Sequence, residues 1–160
     1  MLARSYPDSH SCRVAPSYEA LRLGRSGGGF LTRCLQDAFH LPALSTSVAE
    51  ARRLVLTRLR DWEFDQEVRD NAELVVSELF TNAVRHTSSD EVRCELRVYG
   101  GRLRLEVADQ GCARTEPRAR LVSADQEGGR GLMLVEALST SWGVRTHPSG
   151  RGRVVWAYLS

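Results

Sequence analysis

Hydrophobic positions recur every three or four residues between Asp65 and His86, which is the period of an α-helix. Five of them fall on one stripe of such a helix: Val68, Ala72, Val75, Leu79 and Ala83. Asp65 is a suitable N-cap residue, and the polar run after His86 is suited to end the helix. The pattern therefore predicts a long amphipathic helix with one buried side.

The residues before this helix predict a strand and a second helix. Residues 39–44 can form a short strand, and Pro42 restricts it to a sheet edge because proline cannot donate to a neighbouring strand. Ser47 and Glu50 have the spacing of a capping box, in which the serine caps the first turn and the glutamate reaches back to it. We expect the helix that follows to end near Asp61.

From Glu91 onward the period of the hydrophobic pattern changes to two. Residues 91–99 and 103–107 alternate between apolar and polar side chains, which predicts two strands with one buried face. Gly100 and Gly101 lie between them and suit a two-residue turn. The sequence therefore predicts a β-hairpin.

A tight turn also fixes which charged residues face each other in this hairpin. Arg97 then lies opposite Arg104. Glu95 lies opposite Glu106, and like charges directly opposite each other destabilise a sheet. We expect two diagonal ion pairs to offset this repulsion, namely Glu95 with Arg104 and Arg97 with Glu106.

Glycines and a loop divide the remaining part of the chain. Asp109 follows directly on the second strand of the hairpin and therefore lies at a strand end. Residues 114–127 show little periodicity and predict a long loop, of the kind that often forms a lid. The glycine cluster at 128–131 opens a short helix, and residues 142–146 and 154–159 predict a second hairpin.

Composition sets limits on size, charge and chemistry. A chain of 160 residues suits one domain with a real core, and a net charge of +2 is too small to predict nucleic-acid binding. All 22 cationic residues are arginine, so any side-chain cation at a phosphate must be a guanidinium. No apolar run approaches a membrane span and no signal sequence follows Met1, so we expect a cytoplasmic protein.

The first 36 residues differ from the rest. They are rich in serine, glycine and arginine, carry five arginines against two acidic residues, and show no sustained apolar period. Such a composition cannot bury enough apolar surface to fold. We expect residues 1–36 to be a disordered tail and residues 37–160 to form the domain.

Candidate chemistry is concentrated on the long helix and at the glycine motifs. Glu78, Asn82 and Arg85 share one helix face beside the buried stripe, where they could hold a metal, a water and an anion, although solvated faces have similar residues. Glycines that open a helix let backbone amides approach phosphate, but they also serve as simple turns. The order of these motifs is more informative than any one of them.

That order resembles the GHKL ATPase superfamily, which includes gyrase, MutL and histidine kinases. Residues 78–86 are similar to its N box, Asp109–Gly111 to its G1 box, and Gly129–Leu132 to its G2 box. Within the superfamily, residues 39–160 resemble the small anti-sigma-factor serine kinases of actinobacteria. The resemblance implies a Bergerat ATP-binding fold, an α/β two-layer sandwich with helices on one face of a mixed, mostly antiparallel sheet.

The resemblance also implies a role for each matching residue in binding ATP and Mg²⁺. Glu78 would be the general base, and Asn82 would coordinate Mg²⁺ through its amide oxygen. Asp109 would accept a hydrogen bond from the adenine amino group and so select ATP over GTP. Arg85 would contact phosphate. The other implied ATP-binding residues are Gly111, Gly129, Arg130, Gly131 and Leu132.

Two residues depart from the family pattern. Ala113 replaces the second glycine of the G1 box. Val154 stands in the final strand where many relatives have a threonine that supports the adenine-binding aspartate. Loss of that hydroxyl would cost about 1 kcal/mol of nucleotide binding.

The resemblance implies a serine/threonine kinase that phosphorylates a STAS-domain anti-anti-sigma protein and sequesters a sigma factor. The alternative is a regulatory module that binds ATP and a partner without phosphorylating the partner. A detached histidine-kinase domain or stand-alone ATPase is less favoured, because no phosphoacceptor histidine helix precedes the N box. Relatives often dimerise, so the resemblance allows a homodimer that the sequence does not fix.

Overall fold

The computed structural model describes residues 35–86, 88–111 and 129–160. Its elements are β1 (Gln36–Pro42), α1 (Ser47–Asp61), α2 (Gln66–His86), β2 (Glu91–Tyr99), β3 (Arg102–Asp109), α3 (Gly129–Leu138), β4 (Ser141–Thr146) and β5 (Arg153–Leu159). These strands form one sheet in the order β1-β2-β3-β5-β4, with every pairing antiparallel. The core lies between the sheet and the helices. The predicted α/β two-layer sandwich is confirmed.

Helix α2 provides the largest share of the helical side of the core. All five residues of its predicted apolar stripe are buried, and Phe80 beside them is fully inaccessible to solvent. Asp65 caps the helix, because its Oδ1 accepts a hydrogen bond from the backbone N–H of Val68 at 2.9 Å. The prediction of this helix and of its N-cap is therefore confirmed.

The predicted capping box at the start of α1 is wrong. Thr46, the residue before the helix, already has helical dihedral angles (φ −65°, ψ −23°) and makes no side-chain capping hydrogen bond. Ser47 lies inside the first turn and is 8% exposed. Glu50 accepts a hydrogen bond from Arg53 Nε at 2.8 Å, so its carboxylate binds one turn forward instead of reaching back.

The predicted hairpin of β2 and β3 is confirmed together with its turn. Gly100 and Gly101 have φ values of 55° and 80°, which a type I′ turn requires at both central residues. The register places Glu95 directly opposite Glu106. Arg97 likewise faces Arg104, as the sequence predicts.

The diagonal ion pairs predicted for this hairpin are not the ones that form. Glu95 pairs instead with Arg93 and Arg97 of its own strand. Glu106 pairs with Arg104 of its own strand and with Arg145 of β4. Side chains two residues apart on a strand point to the same face, so they reach the carboxylates without crossing to the paired strand.

The remaining elements follow the predictions closely. Strand β1 lies at the sheet edge, as Pro42 indicates, but begins at Gln36, within the segment predicted as tail. Helix α3 starts at the glycine motif, and β4 and β5 form the second hairpin. Residues 1–34 of the predicted tail and the predicted lid (residues 114–127) lie outside the described residues.

No helix in the described parts of the chain is both long enough and apolar enough to cross a membrane.

Candidate nucleotide-binding site

The side chain of Glu78 lies against the first turn of α3. A Cβ atom added to Gly131 would lie 3.3 Å from Cδ of Glu78 and still closer to its Oε2. Any side chain at Gly131 would therefore displace the carboxylate from its present position. Because backbone N–H groups at a helix start carry partial positive charge, this position suits both the carboxylate and an anionic ligand. The structure thus brings the N-box and G2-box motifs together.

Asp109 is held at the end of β3 by a hydrogen bond to its own turn. The backbone N–H of Gly111 donates to Asp109 Oδ1 at 3.1 Å, which forms an Asx-type turn. The side chain is buried, since the residue is only 5% exposed. One carboxylate oxygen is thus engaged by the turn, and the orientation of the carboxylate is fixed before any ligand binds.

Gly152, in the loop between β4 and β5, supports this turn from behind. Its φ is +76°, in the region that favours glycine. A Cβ atom there would lie 2.7 Å from the carbonyl carbon of Asp109 and 2.8 Å from the backbone nitrogen of Gly111. The two backbones are therefore packed so closely that a side chain at Gly152 would displace the turn. This contact could not be predicted from sequence, because it depends on the pairing of β3 with β5.

Strand β5 presents Arg153, and not Val154, to Asp109. Arg153 Nε lies 4.0 Å from Asp109 Oδ2. Val154 pairs with Ala108, so its side chain points to the opposite face of the sheet. We expected Val154 to occupy the position from which a threonine would support Asp109. That prediction is wrong, because Val154 does not face Asp109. Arg153 was not predicted to lie at the site. Its place in the two-residue period of the buried Val155, Ala157 and Leu159 could have indicated that it shares their face.

The other predicted residues lie along the same helices. Asn82 is half-buried one turn after Glu78, and Arg85 is exposed near the end of α2. Leu132 packs against the core. Gly129 and Arg130 lie in the first turn of α3. The structure therefore places the N-box residues on one helix and the G2-box residues on the next.

The donor set suits a metal that is bound mainly through phosphate. Within the described ranges, no group of three or more His, Cys, Asp or Glu side chains is placed to hold a metal ion. Mg²⁺ typically keeps several waters and uses few protein ligands beside substrate phosphates. A single amide oxygen from Asn82 fits that pattern, so the residues present are compatible with a magnesium–nucleotide complex.

The sheet carries helices on one face, a buried aspartate ends one of its strands, and a glycine-opened helix faces a glutamate. This combination is typical of a nucleotide-binding domain of the ATPase type. The chain belongs to the histidine kinase-like ATPase domain family, whose model matches residues 41–159. No curated protein matches it in sequence.

One solved structure with a similar fold is the crystal structure of the RsbU and RsbW domains of Rv1364c from Mycobacterium tuberculosis. The sequences are 18% identical, the TM-score is 0.57, and the alignment covers 77% of this chain and 32% of the other. At this identity the likeness concerns the fold alone. The chain spans about a third of the length of that solved chain.

Proposed function

We propose that this protein is an ATP-dependent serine/threonine kinase that phosphorylates a STAS-domain anti-anti-sigma protein and also sequesters a sigma factor. The observation that carries the proposal is the approach of Glu78 to Gly131 at the start of α3. A carboxylate beside the turn that would bind the terminal phosphates is suited to act as a general base, whereas nucleotide binding alone requires none. The fold shared with an RsbW domain supports the same type.

In the proposed mechanism, the fixed carboxylate of Asp109 accepts a hydrogen bond from the adenine amino group. Guanine has a carbonyl at that position, so the same carboxylate disfavours GTP. The backbone amides at Gly129 and Gly131 bind the terminal phosphates, and Arg85 adds a positive charge. When bound through Asn82 and the phosphates, Mg²⁺ would neutralise charge on the β- and γ-phosphates.

Glu78 then accepts the proton of the serine hydroxyl of the partner protein. The serine oxygen forms a bond to the γ-phosphorus while the bond from that phosphorus to the β–γ bridging oxygen breaks, and ADP leaves. The proton is carried by Glu78 until it passes to solvent. Because sigma factors act in the cytoplasm, we propose the same location for this regulator. A homodimer is compatible with the proposal but is not required by it.

The test compares nucleotide affinity and phosphoryl transfer in the variant Glu78→Gln. Purified protein, with and without candidate STAS partners, is incubated with radiolabelled Mg-ATP, and nucleotide affinity is measured with a fluorescent ATP analogue. We expect the variant to bind nucleotide as the wild type does and to lose about 100-fold or more of phosphoryl transfer. Glu67→Gln, an exposed position in the first turn of the same helix, is the matched control.

Two results would count against the kinase. If the wild type binds ATP but labels no serine of any partner, the alternative of a regulatory module that binds ATP without turnover replaces it. If Asp109→Ala binds the analogue as tightly as the wild type and GTP competes as well as ATP, the assignment of the adenine site is wrong as well.

A further inference from the structure

The sheet face opposite the helices carries an arginine-rich groove that the kinase proposal does not use. Among the side chains that the strand registers place on this face are Arg93, Glu95, Arg97, Arg104, Glu106 and Arg145. Among them lies a cavity of about 130 Å³. No described helix covers it, because α1, α2 and α3 pack on the other face.

Small residues form the floor of the groove. Ala108 and Val154 are paired neighbours on β3 and β5, and their short side chains leave a depression in a surface of longer ones. Arg93 stands on the β2 side of the depression, while Arg145 and His147 stand on the β4 side. The groove is therefore bordered by positive charge on two opposite sides.

Glu95 is buried and fixes the arginines of β2. It is 1% exposed, although it lies on the face without helices. Its Oε2 accepts a hydrogen bond from Arg93 Nη1 at 2.6 Å, and its Oε1 accepts from Gln36 Nε2 at 2.5 Å and from Arg97 Nε. Burial raises the pKa of Glu95, but the hydrogen bonds and charges of Arg97 and Arg93 outweigh it and hold the pKa below its usual value.

Glu106 of β3 is also buried and pairs with two arginines. It is 4% exposed and accepts a hydrogen bond from Arg145 Nη2 at 3.1 Å, while Arg104 pairs with its other oxygen. Arg104 is turned away from the groove, because its guanidinium lies 5.2 Å from the ring centre of Trp156 and 5.4 Å from that of Tyr158. Two buried carboxylates thus hold guanidinium groups in fixed positions around the cavity.

The charge balance of this cluster favours an anionic ligand. The cavity lining holds three arginines (Arg93, Arg97 and Arg145) and two glutamates (Glu95 and Glu106), which leaves a net charge of +1. Arg93 and Arg145 each donate to a carboxylate through one terminal nitrogen. A guanidinium has five N–H donors, so both retain donors that can meet an oxyanion.

We propose that this groove binds a phosphate group, presented either as inorganic phosphate or as a small phosphomonoester. The cavity volume suits one such group, and the groove lies on the sheet face opposite the helices, which separates it from the site on the helical face. Fixed guanidiniums suit the ligand because no side chain has to be ordered when it binds. The proposal is independent of the kinase activity.

The test is a titration of isotope-labelled protein followed by NMR, with the nucleotide site first saturated by a non-hydrolysable ATP analogue. One arm adds inorganic phosphate, a second adds O-phosphoserine, and a third adds sodium chloride at equal ionic strength. We expect saturable shifts of the Trp156 indole N–H and of the Ala108 and Val154 amides in at least one phosphate arm. The arm with the tighter binding identifies the source of the phosphate group.

Variants make the assignment specific. We expect Arg145→Gln to weaken phosphate binding about tenfold, because it removes one charge-assisted donor. Arg151→Gln, an exposed arginine in the adjacent β4–β5 loop, is the control and should bind as the wild type does. Retained dispersion of the amide spectrum shows that Arg145→Gln is folded. Equal shifts in the chloride arm, or equal affinity in both variants, would overturn the proposal.

Discussion

Two glycines in the loop between β4 and β5 allow a matched test of how the Asp109 turn is held. Gly150 and Gly152 have nearly the same left-handed backbone, with φ values of +74° and +76°. A Cβ atom at Gly150 would meet nothing within 4 Å, whereas one at Gly152 would overlap the backbone of Asp109 and Gly111. Alanine at each position therefore adds the same backbone strain but only one of the two adds a collision.

The magnitudes follow from these contacts. A left-handed conformation costs an alanine about 1 kcal/mol, so Gly150→Ala should lower the free energy of unfolding by about that amount. At Gly152, the new Cβ would lie 2.7 Å from the carbonyl carbon of Asp109 and closer still to its carbonyl oxygen, well inside the 3.4 Å at which ordinary contact begins, so the turn must move. A hydrogen bond to a charged group is worth about 1.5–3 kcal/mol, so a misplaced Asp109 should weaken ATP binding about tenfold or more.

The assay is a titration of each variant with a fluorescent ATP analogue, beside urea denaturation of the same samples. We expect Gly150→Ala to keep the wild-type dissociation constant, while Gly152→Ala raises it and is the less stable of the two. If both variants bind ATP equally well, the contact behind Asp109 does not position the carboxylate and the reasoning is refuted. A loss of binding in both would point instead to strain in the loop.

Three further predictions concern the proposed base Glu78, the sheet face and the core. Gly131→Ala should displace the Glu78 carboxylate. We expect it to lower kcat for phosphoryl transfer by a larger factor than it raises the Kd for ATP. Glu95→Gln should lower the free energy of unfolding by about 2 kcal/mol at pH 7, less than for a fully buried pair because its arginines are about one-third exposed. The pKa of Glu95 is lowered on folding, so its contribution is lost as the pH falls through that value, and the deficit relative to Glu91→Gln should shrink in acid denaturation curves. Burial raises the pKa of the Cys94 thiol to about 12, so iodoacetamide at pH 8 should modify it only after unfolding, as read by peptide mass mapping.

The sequence predicts those features of the fold that depend on local pattern. The stripe on α2, the cap at Asp65 and the turn at Gly100 and Gly101 were predictable, because each depends on residues a few positions apart. The capping box at Ser47 also rests on a local pattern, but this prediction is wrong because a second local partner competes for Glu50. Glu50 had two local partners within reach, and its pairing with Arg53 was not distinguishable from the spacing alone.

Features that depend on strand order could not be predicted. Arg145 reaches Glu106 from a strand 39 residues further along the chain, and only the order β3-β5-β4 brings them to one face. The approach of Arg153 to Asp109 likewise depends on the register of β3 with β5. In the candidate site, the sequence identified Glu78 and Gly131 separately, but their contact needed the packing of α2 on α3.

Strand β3 contributes to both proposed sites, so its register is constrained on both faces of the sheet. Asp109 faces the helices, while its neighbour Ala108 forms the floor of the groove on the other face. Because side chains alternate between faces, a slip of one residue would exchange the two, placing a carboxylate among arginines and a methyl group at the proposed adenine site. The turn at Gly100 and Gly101 therefore sets the chemistry of both faces of the sheet, and an insertion or deletion there should be tolerated far less than one in an ordinary surface turn.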